Sequence, residues 1–149
     1  MQLECEPGHA VAPIEAVRAL ESMLLAMPQI ELPTQHIVFG KVSARAIFIP
    51  AGTALTGALT NCDNVCIVVG DIAVTTDAGP RCLTGFNMLP AQRGAKRAGL
   101  AHADTWWVTV HHTELTNVRD VEDEMTDESE TLGSRRAGLV LDAPLGEGV

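Results

Sequence analysis

Hydrophobic positions near the start of the chain recur at intervals of three and four residues. This spacing lines up one face of a helix with 3.6 residues per turn, and Pro13 suits a first helical turn. The positions are Ile14, Val17, Leu20, Leu24 and Met27. The pattern predicts an amphipathic helix from Pro13 to Met27, within an N-terminal arm of residues 1–34.

After Pro33 the period shortens to two, and short apolar runs separated by turn residues continue to His112. The runs cover residues 35–39, 44–49, 54–59, 65–69, 72–76, 82–84, 87–89, 95–98 and 105–111. Many short strands at this spacing predict a β-sandwich or β-barrel over residues 35–114. Gly70-Asp71 predicts an almost loop-free join between two strands, and the sequence from Asp77 to Pro80 predicts a tight reversal.

Residues 115–149 are predicted to form an acidic helix and a tail. Val118, Val121 and Met125 recur at helical spacing among seven acids between Asp120 and Glu130. We expect a short helix with a solvated charged face. The apolar segment 139–144 predicts an edge strand or a docking arm.

Composition limits the classes of protein to consider. The chain has 149 residues, 46% of them hydrophobic, without an apolar run long enough to span a membrane. Its net charge of −9 disfavours direct binding to nucleic acid, which rewards a positive surface. The first residues lack the basic and apolar regions of a secretory signal. We therefore expect a soluble cytoplasmic protein whose four cysteines, Cys5, Cys62, Cys66 and Cys82, stay reduced.

Parts of the strand region resemble the RmlC-like cupin pattern. They are Ile47 to Thr53, Val68 to Val74, and the corner residues Gly85, Pro90 and Gly94. The resemblance implies a mostly β fold, a cupin-like jelly-roll (double-stranded β-helix) barrel. The amphipathic helix and the short acidic helix with its tail would lie at the two ends of this barrel.

Two stretches further resemble small, uncharacterised phage and prophage cupin-like proteins. Ile49 to Gly57 reads Ile-Pro-x-Gly-Thr-x-Leu-Thr-Gly, and Asp104 to His111 reads Asp-Thr-x-Trp-x-Thr-x-His. This resemblance implies a phage or prophage origin and a location in the host cytoplasm or in a virion. It brings no assigned activity.

The metal-binding histidines of cupins have no counterpart in this chain. Counted along the two motifs, the paired histidine positions fall on Ala58 and Thr60, the carboxylate position near Asp63 or Asn64, and the last histidine position on Arg97. Arginine stays protonated and would repel a divalent cation. We therefore expect no catalytic residues, no metal and no other cofactor at the usual site.

Cys62, Cys66 and Asp63 are weak candidates for an atypical metal site, with His102 or His111 as further ligands. Residues four apart on an extended strand share a face, so the two thiols would lie together. The spacing is wider than a zinc-binding Cys-x2-Cys pair, and buried cysteine is common. We favour buried thiols.

Six residues are candidates for ligand binding: Arg93, Lys96, Arg97, Trp107, Thr109 and His111. The three basic residues flank Gly94 at a barrel corner, where they would hold a phosphate or carboxylate or remain solvated and paired with acids. The strand from Thr105 to His112 places the other three on one face. That face lines the barrel lumen or packs at the barrel end.

Three functions agree with these features. We favour a non-catalytic protein that acts by binding or assembly, as a structural subunit of a virion or homo-oligomer, with other copies or other phage proteins as partners. The first alternative is a binding protein for a small anionic, nucleotide-like ligand. The second is a metal-dependent cupin enzyme with an atypical site. Neither a membrane nor a nucleic acid is an expected partner.

Overall fold

The computed structural model describes residues 14–76, 79–133, 135 and 140–141. The helices within these residues are α1 (Ile14–Leu25) and α2 (Val118–Met125), with a 3-10 turn at Ser129–Thr131. The strands are β1 (Thr34–Phe39), β2 (Val42–Ile49), β3 (Ala54–Thr56), β4 (Asn64–Thr76), β5 (Gly79–Ala91), β6 (Ala98–Ala101), β7 (Thr105–His112) and β8 (Val140–Leu141).

Strand β4 is the centre of the fold. Its first half pairs antiparallel with β7 and its second half with β6, while β5 runs antiparallel along its other side. From β7 the sheet continues through β2 and β1 to β8. The antiparallel sheet therefore curls around a buried core, which includes Ile49, Val68, Ile72, Leu83 and Leu89.

Gly70 allows β4 to change partners without ending. The predicted join between two strands at this point was wrong, because Gly70, with φ of 150°, lies inside one continuous strand. A Cβ atom here would lie 2.7 Å from the carbonyl oxygen of Asp104 and from Cα of Thr105. Only glycine permits so close an approach of two backbones.

Strand β5 likewise combines two predicted runs into one strand, which passes through Gly85 at φ 72°. Thr76 pairs directly with Gly79, in agreement with a tight reversal, although Asp77 and Ala78 lie outside the described residues. The predicted strand 95–98 is wrong in position, since β6 begins only at Ala98.

The two predicted helices are confirmed, with differences in what they bury. Helix α1 packs against β3 and buries Val17, whereas Leu25 remains exposed. Helix α2 is capped by Asn117, whose side chain accepts a hydrogen bond from the backbone N–H of Asp120. The expected solvated acidic face is wrong at Glu122, which is buried and forms a 3.0 Å ion pair with Arg135.

In the tail, Val140 and Leu141 pair parallel with β1 at its Thr34 end. The predicted edge strand therefore exists over these two residues, and the rest of segment 139–144 lies outside the described residues. Within the described part of the chain, the helices are all too short or too polar to cross a membrane.

The expectation of four reduced cysteines was wrong for Cys82, which is disulfide-bonded. Cys5 lies outside the described residues. Cys62 and Cys66 are free. Cys66 belongs to the buried core of the barrel, as a small apolar side chain would.

Candidate functional site

The register of β2, β7 and β4 places inward-facing side chains in rows. In one row, Arg45 lies opposite Thr109, which lies opposite Cys66. The next row contains Ile47, Trp107 and Val68. Because alternate residues of a strand point to the same face, these rows form the inner surface of one side of the barrel.

The rows border a cavity of about 140 Å³. Its polar lining residues are Arg45, Thr60, Asn64, Cys66, Arg97 and Thr109. Its apolar lining includes Ile47, Ile49, Leu55, Ile72, Val74 and Trp107, with Met125 of α2 and Leu132. A mostly apolar pocket with a few convergent polar groups is the usual form of a small-molecule site.

Arg97 reaches this cavity from the loop before β6. Its Nη1 lies 3.9 Å from Sγ of Cys66, and its Cζ lies 5.9 Å from the centre of the Trp107 ring. The Nε atom is buried and has no hydrogen-bond partner. Among the described residues, no carboxylate lies within ion-pair distance of Arg97. Among the described residues, the Arg97 guanidinium contacts the Trp107 ring and the Cys66 thiol, and both are weak partners for a charge.

Arg45 reaches the same cavity from β2. Its Nε is also buried without a hydrogen-bond partner. Burial lowers the pKa of Arg45, and the negative charge of Glu122 partly opposes this effect. Since a guanidinium remains protonated at neutral pH, a second positive charge lies in the cavity without a directly bonded carboxylate among the described residues.

Arg45 is a cavity residue that was not predicted from the sequence, although a signal existed. Arg45, Ile47 and Ile49 alternate along β2, so the arginine lies on the apolar face of its strand. A charged residue in such a series is a marker of an inward-pointing functional group, because burial of an unpaired charge is unfavourable.

Of the six predicted ligand residues, Arg97, Trp107 and Thr109 line the cavity and Arg93, Lys96 and His111 do not. Lys96 was predicted at the mouth, but its side chain is fully buried elsewhere. Its Nζ donates to Glu21 at 2.8 Å, to Glu128 at 3.0 Å and to the carbonyl oxygen of Gly57 at 2.8 Å. All three of its protons are used, so Lys96 joins α1 to the region after α2 and is not available to a ligand.

Glu128 completes this group around the buried lysine, which we call the Lys96 cluster (Arg18, Glu21, Lys96 and Glu128). Arg18 forms a 2.8 Å ion pair with Glu128. Burial raises the pKa of the Glu128 carboxyl, but hydrogen bonds from the backbone N–H of Leu59, from Lys96 and from Arg18 outweigh it and lower the pKa to about 2.

Arg93 and His111 lie apart from the cavity for different reasons. Arg93 is exposed at the Gly94 corner, where its backbone N–H donates to Asp63 at 2.9 Å. His111 is buried opposite Ser43, with Nε2 3.5 Å from a Glu124 oxygen. Burial lowers the pKa of His111, and Glu124 opposes this. His111 therefore packs at the barrel end below α2.

The residues of the cavity do not fit a divalent metal. The positions that the cupin motifs assign to metal ligands, Ala58, Thr60, Asn64 and Arg97, all line the cavity. Alanine offers no donor atom, and Arg45 and Arg97 would repel a cation. Within the described residues, no group of three or more histidine, cysteine, aspartate or glutamate side chains is arranged to hold a metal ion.

The atypical metal candidates also do not converge. Cys62 precedes β4, which begins at Asn64, so the argument that two cysteines share a strand face was wrong. Cys66 lines the cavity, whereas Asp63 is exposed and accepts the N–H of Arg93. His102 lies at another corner, with Nδ1 3.2 Å from Asp71.

Comparisons with known proteins agree on the fold. No family model matches the chain, and no curated protein matches it by sequence. An ectoine synthase from P. lautus is similar in structure, with a TM-score of 0.51 and 18% identity over 66% of this chain and 75% of that chain. At such identity the likeness concerns the fold alone.

Two further structures align with lower scores. An RmlC-like cupin family protein with a double-stranded β-helix fold from Methanocaldococcus jannaschii has a TM-score of 0.47 at 14% identity, over 58% of this chain and 92% of that chain. The Cupin_2 domain of an XRE family transcriptional regulator from Enterobacter cloacae has a TM-score of 0.46 at 12% identity, over 57% of this chain and the whole of that chain. With its curled antiparallel sheet, N-terminal helix and short C-terminal helix, the chain has the cupin-like fold that its sequence predicts.

Proposed function

We propose that the protein binds a small anionic molecule in its barrel cavity. One observation carries the proposal: Arg45 and Arg97 enter the same cavity, and each has a buried Nε without a hydrogen-bond partner. A buried guanidinium N–H without an acceptor is costly. A bound carboxylate or phosphate would supply the missing acceptor oxygens in two-pronged contacts.

The same observation favours this function over an atypical metal enzyme. Two cations at the barrel centre attract an anion and oppose a metal ion. The overall charge of −9 does not contradict anion binding, because the described residues that line the cavity include two arginines and no acid. The charge of the residues that line a cavity, more than the net charge of the protein, determines which ligands bind there.

Isothermal titration calorimetry of the full chain with acetate, benzoate, sulfate and inorganic phosphate tests the proposal. Arg45→Met and Arg97→Met remove the two cavity charges, and Arg93→Met is a matched control outside the cavity. We expect binding of at least one anion to weaken about tenfold or more in each cavity variant, because a charge-assisted hydrogen bond contributes about 1.5–3 kcal/mol. Arg93→Met should bind like the wild type. Failure of every anion to bind, or unchanged affinity in both cavity variants, would contradict the proposal.

A second observation favours assembly with another copy of the chain. We call a group of outward-facing residues of β5, β4, β7, β2 and β1 the outer apolar face, and the outward-facing polar residues Gln35 and His112 border it. Its register rows are Phe86, Val69, Trp106 and Phe48; then Met88, Ile67, Val108 and Ala46; then Pro90, Val65, Val110, Ala44 and Ile37. None of these residues is charged, and Phe86 and Met88 are 66% and 62% exposed.

The size and chemistry of the outer apolar face support a second copy as its occupant. Its exposed side chains, together with Phe39 and Val42 beside it, form a continuous apolar surface across five strands. A stable complex commonly buries about 800 Å² on each partner. A face without charges gains nothing from an oppositely charged partner. A copy related by a two-fold axis presents the same apolar surface and buries both.

Sedimentation velocity at micromolar concentration tests this assembly. The wild type should sediment as a dimer or larger closed oligomer, and Phe86→Glu should sediment as a monomer with an unchanged circular dichroism spectrum. Gln92→Glu adds the same charge at an exposed position outside the face and should leave the oligomer intact. A monomeric wild type, or a Phe86→Glu variant that assembles like it, would exclude the interface. The role of virion subunit, suggested by the phage resemblance, has no support from the comparisons and stays a prediction.

A further inference from the structure

The cavity separates its polar lining from its apolar lining. Arg45, Thr109 and Cys66 occupy one register row, and Arg97 joins them through its approach to Cys66. The following rows toward the other end hold first Ile47 and Trp107 and then Ile49. A ligand that satisfies both ends has a charged head and an apolar body.

The hydrogen-bond donors of the polar end limit the size of that head. Asn64 donates to the carbonyl oxygen of Cys62 and accepts from Cys66, and the Thr60 hydroxyl donates to the carbonyl oxygen of Ala95. Thr109 is engaged with the Cys66 thiol. The guanidinium groups of Arg45 and Arg97 are therefore the main donors left. These two guanidiniums are enough to donate to both oxygens of one carboxylate.

The charge around the cavity also favours a single negative charge. Arg45 and Arg97 contribute two positive charges, and the negative charge of Glu122 acts on Arg45. Glu122 is itself paired with Arg135 at 3.0 Å, so it offsets the cavity charge only in part. A monoanion costs less free energy than a dianion such as phosphate to transfer from water into this mostly apolar space.

The volume sets the size of the apolar body. The cavity measures about 140 Å³, close to the roughly 150 Å³ of an apolar protein cavity that holds benzene. Its apolar end offers branched side chains and the flat ring of Trp107, which suits a ring or a short branched chain. Resting on the proposed anion-binding function, we infer that the natural ligand is a monocarboxylate with a small apolar body, the size of benzoate or 3-methylbutanoate.

Calorimetric titration of the full chain with matched probes tests the inference. Benzoate and 3-methylbutanoate combine charge and body, benzamide has the body without the charge, acetate has the charge with almost no body, and inorganic phosphate is the competing head group. We expect benzoate or 3-methylbutanoate to bind at least tenfold more tightly than benzamide, acetate and phosphate.

A cavity variant separates the contribution of the apolar body. Leu55 lines the apolar end, and Leu59 is a half-buried leucine that does not line the cavity. Leu55→Ala should weaken benzoate binding about fivefold and leave acetate binding within twofold, because it removes contacts to the body alone. Leu59→Ala should change neither affinity.

The outcomes distinguish the two proposals. Tighter binding of phosphate than of every carboxylate, lost in Arg97→Met, would overturn the ligand class and leave anion binding in place. Equal binding of benzoate and acetate would overturn the role of the apolar end. Equal binding of benzoate and benzamide, or no binding of any probe, would overturn both the ligand class and the anion-binding function.

Discussion

The guanidinium of Arg97 lies over the indole ring of Trp107, with 5.9 Å between Cζ and the ring centre. Both side chains line the cavity, so a ligand that contacts Arg97 changes the surroundings of this ring. The second tryptophan, Trp106, points to the opposite face of β7 and is 39% exposed.

Tryptophan fluorescence should therefore report on ligand binding through Trp107 alone. A saturating carboxylate is expected to shift or quench the emission of the wild type and of Trp106→Phe by similar amounts. The signal should disappear in Trp107→Phe. A response that survives in Trp107→Phe would place the ligand elsewhere.

Arg45→Met should raise the free energy of unfolding of the ligand-free protein by about 1–2 kcal/mol. Methionine has a similar volume, and the change removes a buried charge whose Nε has no hydrogen-bond partner. Urea unfolding at pH 7 measures the difference. Glu122 keeps its ion pair with Arg135 in this variant. A loss of stability would mean that Arg45 is a structural residue.

Lys96→Met should lower the free energy of unfolding by about 3 kcal/mol. The lysine side chain is fully buried between Glu21 and Glu128, and its removal leaves two partly buried carboxylates without their main partner. Arg93→Met, at an exposed position three residues before Lys96, should change the free energy of unfolding by less than about 0.5 kcal/mol. Similar losses of stability in the two variants would contradict a stabilising role for the Lys96 cluster.

Stability should fall in acid through the protonation of Glu128. The pKa of this carboxyl is lowered from 4.5 to about 2 in the folded protein. A group with a depressed folded pKa stabilises fully above its unfolded pKa, and this contribution is lost as the pH falls from 4.5 through 2. With allowance for solvent screening, we expect a loss of about 1–2 kcal/mol.

Unfolding by urea at pH 7 and at pH 3 measures this loss. Glu128→Gln should be less stable at pH 7 and should depend less on pH over this interval. Glu31→Gln removes an exposed acid outside the Lys96 cluster and should keep the pH dependence of the wild type. Equal pH dependence in Glu128→Gln and the wild type would exclude Glu128 as the cause.

Gly70→Ala should lower the free energy of unfolding by about 2–3 kcal/mol. The added methyl group would meet the backbone of Asp104 and Thr105 at 2.7 Å, so that β4 or β7 must move. Gly85→Ala is the matched control, since Gly85 has a positive φ but no atom within 4 Å of the new Cβ. It should cost about 1 kcal/mol for backbone strain alone. Equal costs for the two variants would show that the close approach at Gly70 is unimportant.

The strands and helices were largely predictable because their periodicity depends on local burial. The predictions were wrong at points where pairing between distant strands overrides a local turn signal. Gly70-Asp71 has the composition of a hairpin turn, yet β4 continues through it because β6 and β7 offer successive partners. A glycine in a strand is equally compatible with a turn and with a close contact, and only the neighbouring backbone decides between them.

The candidate site was predictable in part. Alternation along β7 placed Trp107 and Thr109 on one face, and the same reasoning applied to β2 would have found Arg45. The fate of Lys96 was not predictable, because its partners Glu21 and Glu128 are 75 and 32 residues away in the chain. Lys96 and Arg97 are neighbours in the sequence but have different roles. Lys96 forms ion pairs with Glu21 and Glu128, and Arg97 lines the cavity.

The position of β4 between β5 on one side and β6 and β7 on the other has a consequence for the order of folding. Its pairs with β7 join residues such as Val65 and Val110, which are far apart in the chain, so they form late and at a large entropic cost. Once formed, its amide hydrogens are bonded on both sides of the strand. The amides of β4 should therefore exchange with solvent only through global unfolding, whereas those of β8 exchange through local fraying.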